Sequence, residues 1–296
     1  MNIETLDLLR EALPYIQHFK GKTFVVKFSG KVTEDKSILV SLAEELALLH
    51  QVGIRVCVIH GGGKQLSELA KKLGVVQTVI EGRRVTDDDT LDLAKMIFRG
   101  KINTEILSAL RHRGVEAVGL SGIDGGVIKA VRRPPKEVVV DRATGETEEV
   151  DFGHVGDIVD VDVHLVNLLL DGGYLPVISS LGADDEGKIY NINADTIAAE
   201  IAVNLKAEKL LLLSDVNGIY ADPNDETTKI DRLSLSEAEE MIFNGTATGG
   251  MIPKLQNLIS LLQRGVHSAH IMSGSMRNTI LSEVFTDEGT GTMIVN

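Results

Sequence analysis

Three short glycine-bearing turns hold the residues of this chain best placed to do chemistry. They are Lys27-Phe28-Ser29-Gly30, His60-Gly61-Gly62-Gly63 and Ser214-Asp215-Val216-Asn217-Gly218. Each follows an apolar run that reads as a buried strand, and open α/β sheets bind ligands beyond the C-terminal ends of their strands. Glycine lets the backbone come close to a ligand, and a helix beginning after Gly63 aims its N–H groups at an anion. A plain tight turn is the rival reading of each; the position between strand and helix favours anion binding. Lys27 stands among Val25, Val26 and Phe28, and Lys254 follows Gly249-Gly250. A strand lysine is ordinarily a snorkelling side chain, but one set immediately before a glycine turn is placed to meet a phosphate.

Several familiar signatures are missing. There is no G-x-G-x-x-G and no G-x-x-x-x-G-K-[ST], and Gly21-Lys22-Thr23 lacks the upstream glycine. Asp151-Phe152-Gly153 spells a protein-kinase metal triplet without the H-R-D loop that should precede it, and reads as coincidence. His60 reads as structural, and His154, His267 and His270 lack metal-ligand spacing. The single cysteine, Cys57, excludes an intramolecular disulfide and lies in the apolar run 56–59, as a packed thiol would.

The elements that must position these residues follow from periodicity. Ile3, Leu6, Leu9, Leu13 and Ile16 form a helical stripe that Pro14 should kink or break. Strands are expected at 23–28, 55–59, 115–120, 175–180, 209–214, 268–272 and 291–295. Helices are expected at 36–51 (Leu39, Leu42, Leu46, Leu49), 63–73, 88–98, 101–113, 162–171, 194–205, 234–243 and 251–264. Residues 127–160 break the alternation with short strands at 127–132, 137–140 and 146–150, as in antiparallel hairpins. The fold class is therefore α/β: a three-layer sandwich with a mainly parallel central sheet, helices on both faces and a small β-hairpin excursion. The expected organisation is an N-terminal helix at 1–20, one lobe at 21–180 and a second at 181–296, divided near the acidic hairpin 182–187.

Composition narrows the function. The chain has 296 residues, 43 acidic against 30 basic for a net charge of −13, and 43% hydrophobic residues. That is a globular profile without the basic excess a nucleic-acid footprint requires. No segment nears the ~20 apolar residues of a membrane span, and the acidic N-terminus lacks a signal-peptide core. A cytoplasmic location is the expectation.

Six motifs then occur in an order that resembles the acetylglutamate kinases of the amino-acid-kinase superfamily. They are residues 26–30, 60–63, Gly82-Arg83-Arg84-Val85-Thr86, Asn191-Ile192-Asn193-Ala194-Asp195, 214–218 and Gly249-Gly250-Met251-Ile252-Pro253-Lys254. The resemblance runs from about residue 20 to the C-terminus. It implies transfer of the γ-phosphoryl group of ATP, with Mg2+, to the γ-carboxylate of N-acetyl-L-glutamate. It implies further that Lys27 and Lys254 stabilise the transferring group, that Asp195 holds both lysines, and that Gly61 and Gly62 donate N–H groups. Arg84 would pair with the α-carboxylate, and Asn191 would lie near the acetylamino group. Ser29, Gly30, Ser214, Asp215, Asn217, Gly218, Tyr220, Thr246 and Thr248 would border the nucleotide. Mg2+ would be held mainly by phosphates and water, with no dedicated protein metal site. As a bland alternative, Asp195 would merely cap its helix and Arg84 would be a surface ion-pair partner.

The sequence departs from the family pattern at Ser29, where glycine is usual, at Arg83, where leucine is common, and across 134–149. Residues 12–16, 283–286 and 289–292 are similar to the arginine-inhibited branch. That likeness implies a homo-oligomer, dimer or hexamer, joined through the N-terminal helices, with Tyr15, Glu283 and Gly289 contacting an arginine effector. Two other functions remain open at this point: a kinase for a related acidic acceptor such as a carrier-linked aminoadipate, and a non-catalytic amino-acid sensor.

Overall fold

The segment Thr23–Phe28 (β1) is aromatic or β-branched at every position except Lys27, and every other side chain in it is buried. Such a run needs cover on both faces, which a central parallel strand receives. The computed structural model describes residues 3–80, 83–141, 146–222, 225–247, 251–286 and 289–295; the side chains of residues 3–9, 31, 83, 139–141, 146, 226, 251, 253 and 254 lie outside that description. β1 sits inside an eight-stranded sheet with Arg55–His60 (β2), Ala117–Ser121 (β3), Leu175–Ser179 (β4), Lys209–Ser214 (β5), Arg232–Ser234 (β6), Ser268–Ser273 (β7) and Thr292–Val295 (β8). Their order is β6-β8-β7-β5-β1-β2-β4-β3. All pairings are parallel except that of β8 with β7. Strands from residues 21–180 form one contiguous half of the sheet and those from 181–296 the other.

Alternation along β1 distributes its side chains between two cores. Phe24, Val26 and Phe28 pack under the helices Lys36–Gln51, Gly63–Leu73 and Asn103–His112. Val25 packs on the opposite face with Cys57, Ile59 and the helix Ala194–Asn204. Period two therefore puts Lys27 on the second face, toward that helix. Cys57 is fully buried there, and burial pushes its thiol up to about 12, which leaves it inert. The helix Lys36–Gln51 starts where Asp35 accepts from the N–H groups of Ser37 and Ile38, and it buries Leu39, Leu42, Leu46 and Leu49 as expected.

Four features differ from the expected pattern. The N-terminal helix Ile3–Phe19 runs through Pro14 without interruption, since losing one N–H removes a bond but not the helix. It docks on its own chain, Phe19 meeting Phe24 edge-on with ring centroids 5.2 Å apart. The two helices expected at 88–98 and 101–113 form one rod, because a π-helical stretch Lys95–Ile102 bridges Asp88–Ala94 to Asn103–His112. The β excursion contains a strand not anticipated, Gly156–Val161, antiparallel to Ile128–Arg132. The hairpin Leu181–Ala183/Ile189–Asn191 joins these two in a four-stranded sheet. Finally, a helix at Thr279–Phe285 and the edge strand β6 were not expected. Their amphipathic signal is too short to stand out from one sequence.

Candidate active site

The chain leaves β1 for β2 on one side and later returns to β5 on the other, so β1 and β5 flank a topological switch point. A ligand crevice opens there at the C-terminal ends of the strands. Lys27 is paired in register with Leu212 of β5 and Ile59 of β2. Its Nζ lies 2.7 Å from Asp195 Oδ1, with the lysine side chain 15% and the aspartate 50% exposed. Asp195 does not cap its own helix. Asn193 does so, its Oδ1 accepting from the Asp195 N–H at 2.7 Å, which leaves the aspartate carboxylate to the lysine.

The glycine triplet closes against this pair. A Cβ added to Gly61 would stand 3.3 Å from Ala194 Cβ, and one on Gly62 would stand 2.3 Å from Ile102 Cδ1 and 2.7 Å from Phe98 Cδ1. The π-helical stretch thus presses two apolar side chains onto Gly62, and only glycine fits. His60, fully buried before the triplet, has Nδ1 2.9 Å from Gly61 O and Nε2 3.1 Å from Asn103 Nδ2. Those partners assign the neutral tautomer with the proton on Nδ1, since the Asn103 amide donates to Nε2. Burial pushes the imidazole down to about 4. His60 is a structural brace.

Arg84 reaches the same place from the two-stranded ribbon Val79–Ile80/Arg83–Arg84. Its Nη2 donates to Gly63 O at 2.7 Å and Ser67 Oγ at 2.6 Å, while its Nε is buried without a partner. Burial lowers its pKa, yet a guanidinium stays charged, so one edge of the fork remains for an anion. Asn191 Nδ2 donates to Thr86 Oγ1 at 3.2 Å, two residues beyond Arg84. The Asp151-Phe152-Gly153 triplet is structural. Phe152 N–H aside, its carbonyl accepts from Thr86 N, its ring packs with Val138 and Val150, and Asp151 holds Gly153 N and Arg132.

On the β5 side, Ser214 O accepts from Gly274 N at 2.9 Å. A Cβ on Gly274 would lie 3.3 Å from Ser29 Oγ, a hydroxyl that is buried and unpartnered. Ser273-Gly274-Ser275 is therefore a fourth strand-end glycine turn, joining the first and third. It shares the strand–glycine signal of the other three, but sequence reasoning missed it. Gly218, at φ 144°, closes on Thr292 Oγ1, and Tyr220 pairs with Lys229 in a two-residue ribbon. Asp215 and Asn217 lie in the turn between these strands. Gly30 opens a short helix, Gly30–Glu34. Thr246 sits after the helix Leu235–Phe243 with its N–H on Asn244 Oδ1. Thr248 lies outside the described residues, as does the Lys254 side chain. Its helix, Met251–Gln263, lines a cleft of about 170 Å³ through Asn257, Leu258 and Leu261, facing Lys27, Asp195 and Ser214.

Of the three candidate effector residues, Tyr15 and Gly289 line one cavity of about 630 Å³ with Glu11, Phe285 and Thr290. Glu283 is already engaged in the fold. Its carboxylate accepts from Thr290 N at 2.7 Å and Gly291 N at 2.9 Å and lies 2.6 Å from His270 Nδ1. Burial opposes its ionisation, but these hydrogen bonds hold it down at about 2. Lys209 Nζ, 5.2 Å from the Phe19 ring centroid, completes a buried chain through His270 Nε2 at 3.1 Å.

Comparison with known proteins gives this geometry a context. Residues 22–273 match the amino acid kinase family model. The chain is 44% identical over 292 residues to the acetylglutamate kinase of Methanocaldococcus jannaschii, covering 99% of this chain and 96% of that protein. It is 43% identical over 292 residues to the acetylglutamate kinase of Methanothermobacter thermautotrophicus, covering 99% of each. Among solved structures it resembles N-acetylglutamate synthase from Neisseria gonorrhoeae with coenzyme A and N-acetyl-glutamate. There the TM-score is 0.82 at 31% identity, covering 98% of this chain and 63% of that one. The same synthase with coenzyme A and L-arginine matches with a TM-score of 0.79 at 28% identity, covering 98% and 65%.

Proposed function

We infer the reaction from the premise that the chain belongs to the amino acid kinase family: it phosphorylates the γ-carboxylate of N-acetyl-L-glutamate with ATP, a step of arginine biosynthesis. The observation that carries the reading is the Lys27–Asp195 pair at the switch point, set against a glycine triplet, in a chain with full-length acetylglutamate kinase relatives.

An acceptor carboxyl with an ordinary pKa of about 4.3 is already ionised at neutral pH, so no base is required. One carboxylate oxygen attacks the γ-phosphorus, the bond from that phosphorus to the β,γ-bridging oxygen breaks, and ADP leaves with its electron pair. The product is an acyl phosphate. The obstacle is anion meeting anion, so catalysis consists of positive charge and alignment. Lys27 and Lys254 supply charge to the transferring group, Asp195 orients Lys27, and the Gly61 and Gly62 N–H groups face the oxygens. Arg84 holds the α-carboxylate through its unpartnered edge and Asn191 the acetylamino group. The turns at 29–30, 214–220 and 246–248 border the nucleotide. Mg2+ would be held mainly by the nucleotide phosphates and water.

We extend the reading to regulation. The Tyr15–Gly289 cavity takes free arginine, Glu11 supplies the nearest carboxylate, and Glu283 shapes the wall through Thr290 and Gly291 rather than meeting the guanidinium. The same reading makes the chain a cytoplasmic homo-oligomer.

The test is ATP-dependent hydroxamate formation with N-acetyl-L-glutamate, run on the native chain, Lys27→Ala and Lys254→Ala. Turnover by the native chain with a large loss in both variants at unchanged melting temperature supports the reading. Turnover only with a different acidic acceptor, or none with any, rejects it.

A further inference from the structure

Lys64 is the first side chain after the glycine triplet, in the opening turn of the helix Gly63–Leu73. Its helix is bolted to the first glycine turn: Gln65 Nε2 donates to Gly30 O at 3.1 Å and to Thr33 Oγ1 at 2.6 Å. A Cβ on Gly30 would lie 3.8 Å from Lys64 Cβ. The lysine stem thus rises where two of the anion-binding turns meet. Its ammonium is 2.6 Å from Glu34 Oε2 on the short helix that Gly30 begins. Glu34 Oε1 is buried without a partner.

We propose that Lys64 binds the terminal phosphates of the nucleotide, and that Glu34 is the partner it exchanges for them. The inference rests on the kinase reading above and deepens it. The reaction needs cations beside the β- and γ-phosphates, and a lysine set between two of the glycine turns is positioned to supply one. Without Lys64 the nucleotide would face the Glu34 carboxylate with its paired cation removed, so repulsion adds to the lost contact. The competing reading is an exposed ion pair that contributes little to stability and nothing to binding. The two differ in whether the effect scales with the number of phosphates.

The experiment is binding of ATP, ADP and AMP at one ionic strength, with kcat and KM for ATP and N-acetyl-L-glutamate, in the native chain, Lys64→Ala, Lys64→Arg and Glu34→Gln. Loss of a charge-assisted contact predicts ATP affinity about 10- to 100-fold weaker in Lys64→Ala. ADP should weaken less, and AMP affinity and acceptor KM should stay within about twofold. Lys64→Arg should recover most of the ATP affinity, and Glu34→Gln should match or exceed the native chain. Equal weakening of AMP and ATP, an unchanged ATP affinity in Lys64→Ala, or a Glu34→Gln loss as large as that of Lys64→Ala each overturns the proposal. If the native chain turns over while Lys64→Ala binds ATP normally, only this inference fails. If the native chain binds no ATP, the kinase reading fails first.

Discussion

Lys27 and Asp195 meet at 2.7 Å because Asn193, and not Asp195, caps the helix that carries the aspartate. The cap leaves the carboxylate to orient the ammonium from across the crevice. Asp195→Asn keeps the size and helix position but removes that orienting charge. The expected outcome is a fall in kcat of about 10²- to 10³-fold with KM for ATP little changed, as for loss of one preorganised electrostatic contact. Steady-state kinetics beside a thermal melt checks it; a large KM effect with kcat intact would show a binding role instead.

Arg84 offers a sharper test of acceptor recognition. Its Nη2 is fixed by Gly63 O and Ser67 Oγ, and its Nε is buried without a partner. Lysine cannot both hold the helix and present a second donor in that plane. Arg84→Lys should therefore raise the acceptor KM about 10- to 100-fold, the scale of a charged hydrogen bond, with ATP affinity unaffected. A normal acceptor KM would remove Arg84 from the site.

Gly62 tests the link between fold and loop. A methyl group there would lie 2.3 Å from Ile102 Cδ1, which is fully buried. Gly62→Ala should cost about 1–3 kcal/mol by overpacking and displace the triplet. Adding Ile102→Val deletes the obstructing atom, so the double variant should recover part of the lost stability, a coupling that denaturant midpoints can measure.

Much of this arrangement was legible in the chain because its determinants are local. The leucine stripe of 36–51, the apolar run around Lys27 and glycines after strands each declare themselves within a few residues. What was not legible depends on partners far apart. Glu45 sits in the middle of the helix Lys36–Gln51, yet its carboxylate accepts from Ile280 N at 2.8 Å, 235 residues away. The fork of Arg84 is set by Ser67, and the fit at Gly62 by a π-turn that no propensity announces. The resemblance implies an effector contact at Glu283, and nothing near it in sequence shows His270 beneath it.

Stability should fall on mild acidification, and His60 sets the sign. An unfolded imidazole titrates near 6.5, whereas burial holds His60 at about 4. As pH drops through ~6.5 the unfolded chain takes a proton that the folded chain refuses, so stability declines until about pH 4. The ceiling for this group is about 3 kcal/mol. Denaturant midpoints between pH 7.5 and 5 should fall more for the native chain than for His60→Gln; parallel curves would mean that another group is responsible.

The proposed arginine site lies where Glu11 and Tyr15 of the N-terminal helix share a cavity with Gly289 and Thr290. Tyr15 and Glu11 come from that helix, while Gly289 and Thr290 come from a segment that Glu283 grips through two N–H groups. A ligand bridging them would fix the helix against the sheet, where Lys209 of β5 already meets Phe19. Arginine should therefore lower activity in the native chain, and Tyr15→Ala or Glu11→Gln should raise the half-inhibitory concentration about 10-fold, the equivalent of one polar contact. Glu283→Gln should do the same and also lower the melting temperature, because it disturbs the loop and the buried histidine together. A flat arginine titration with the N-terminal helix intact would leave the cavity without an effector and the helix as a packing element alone.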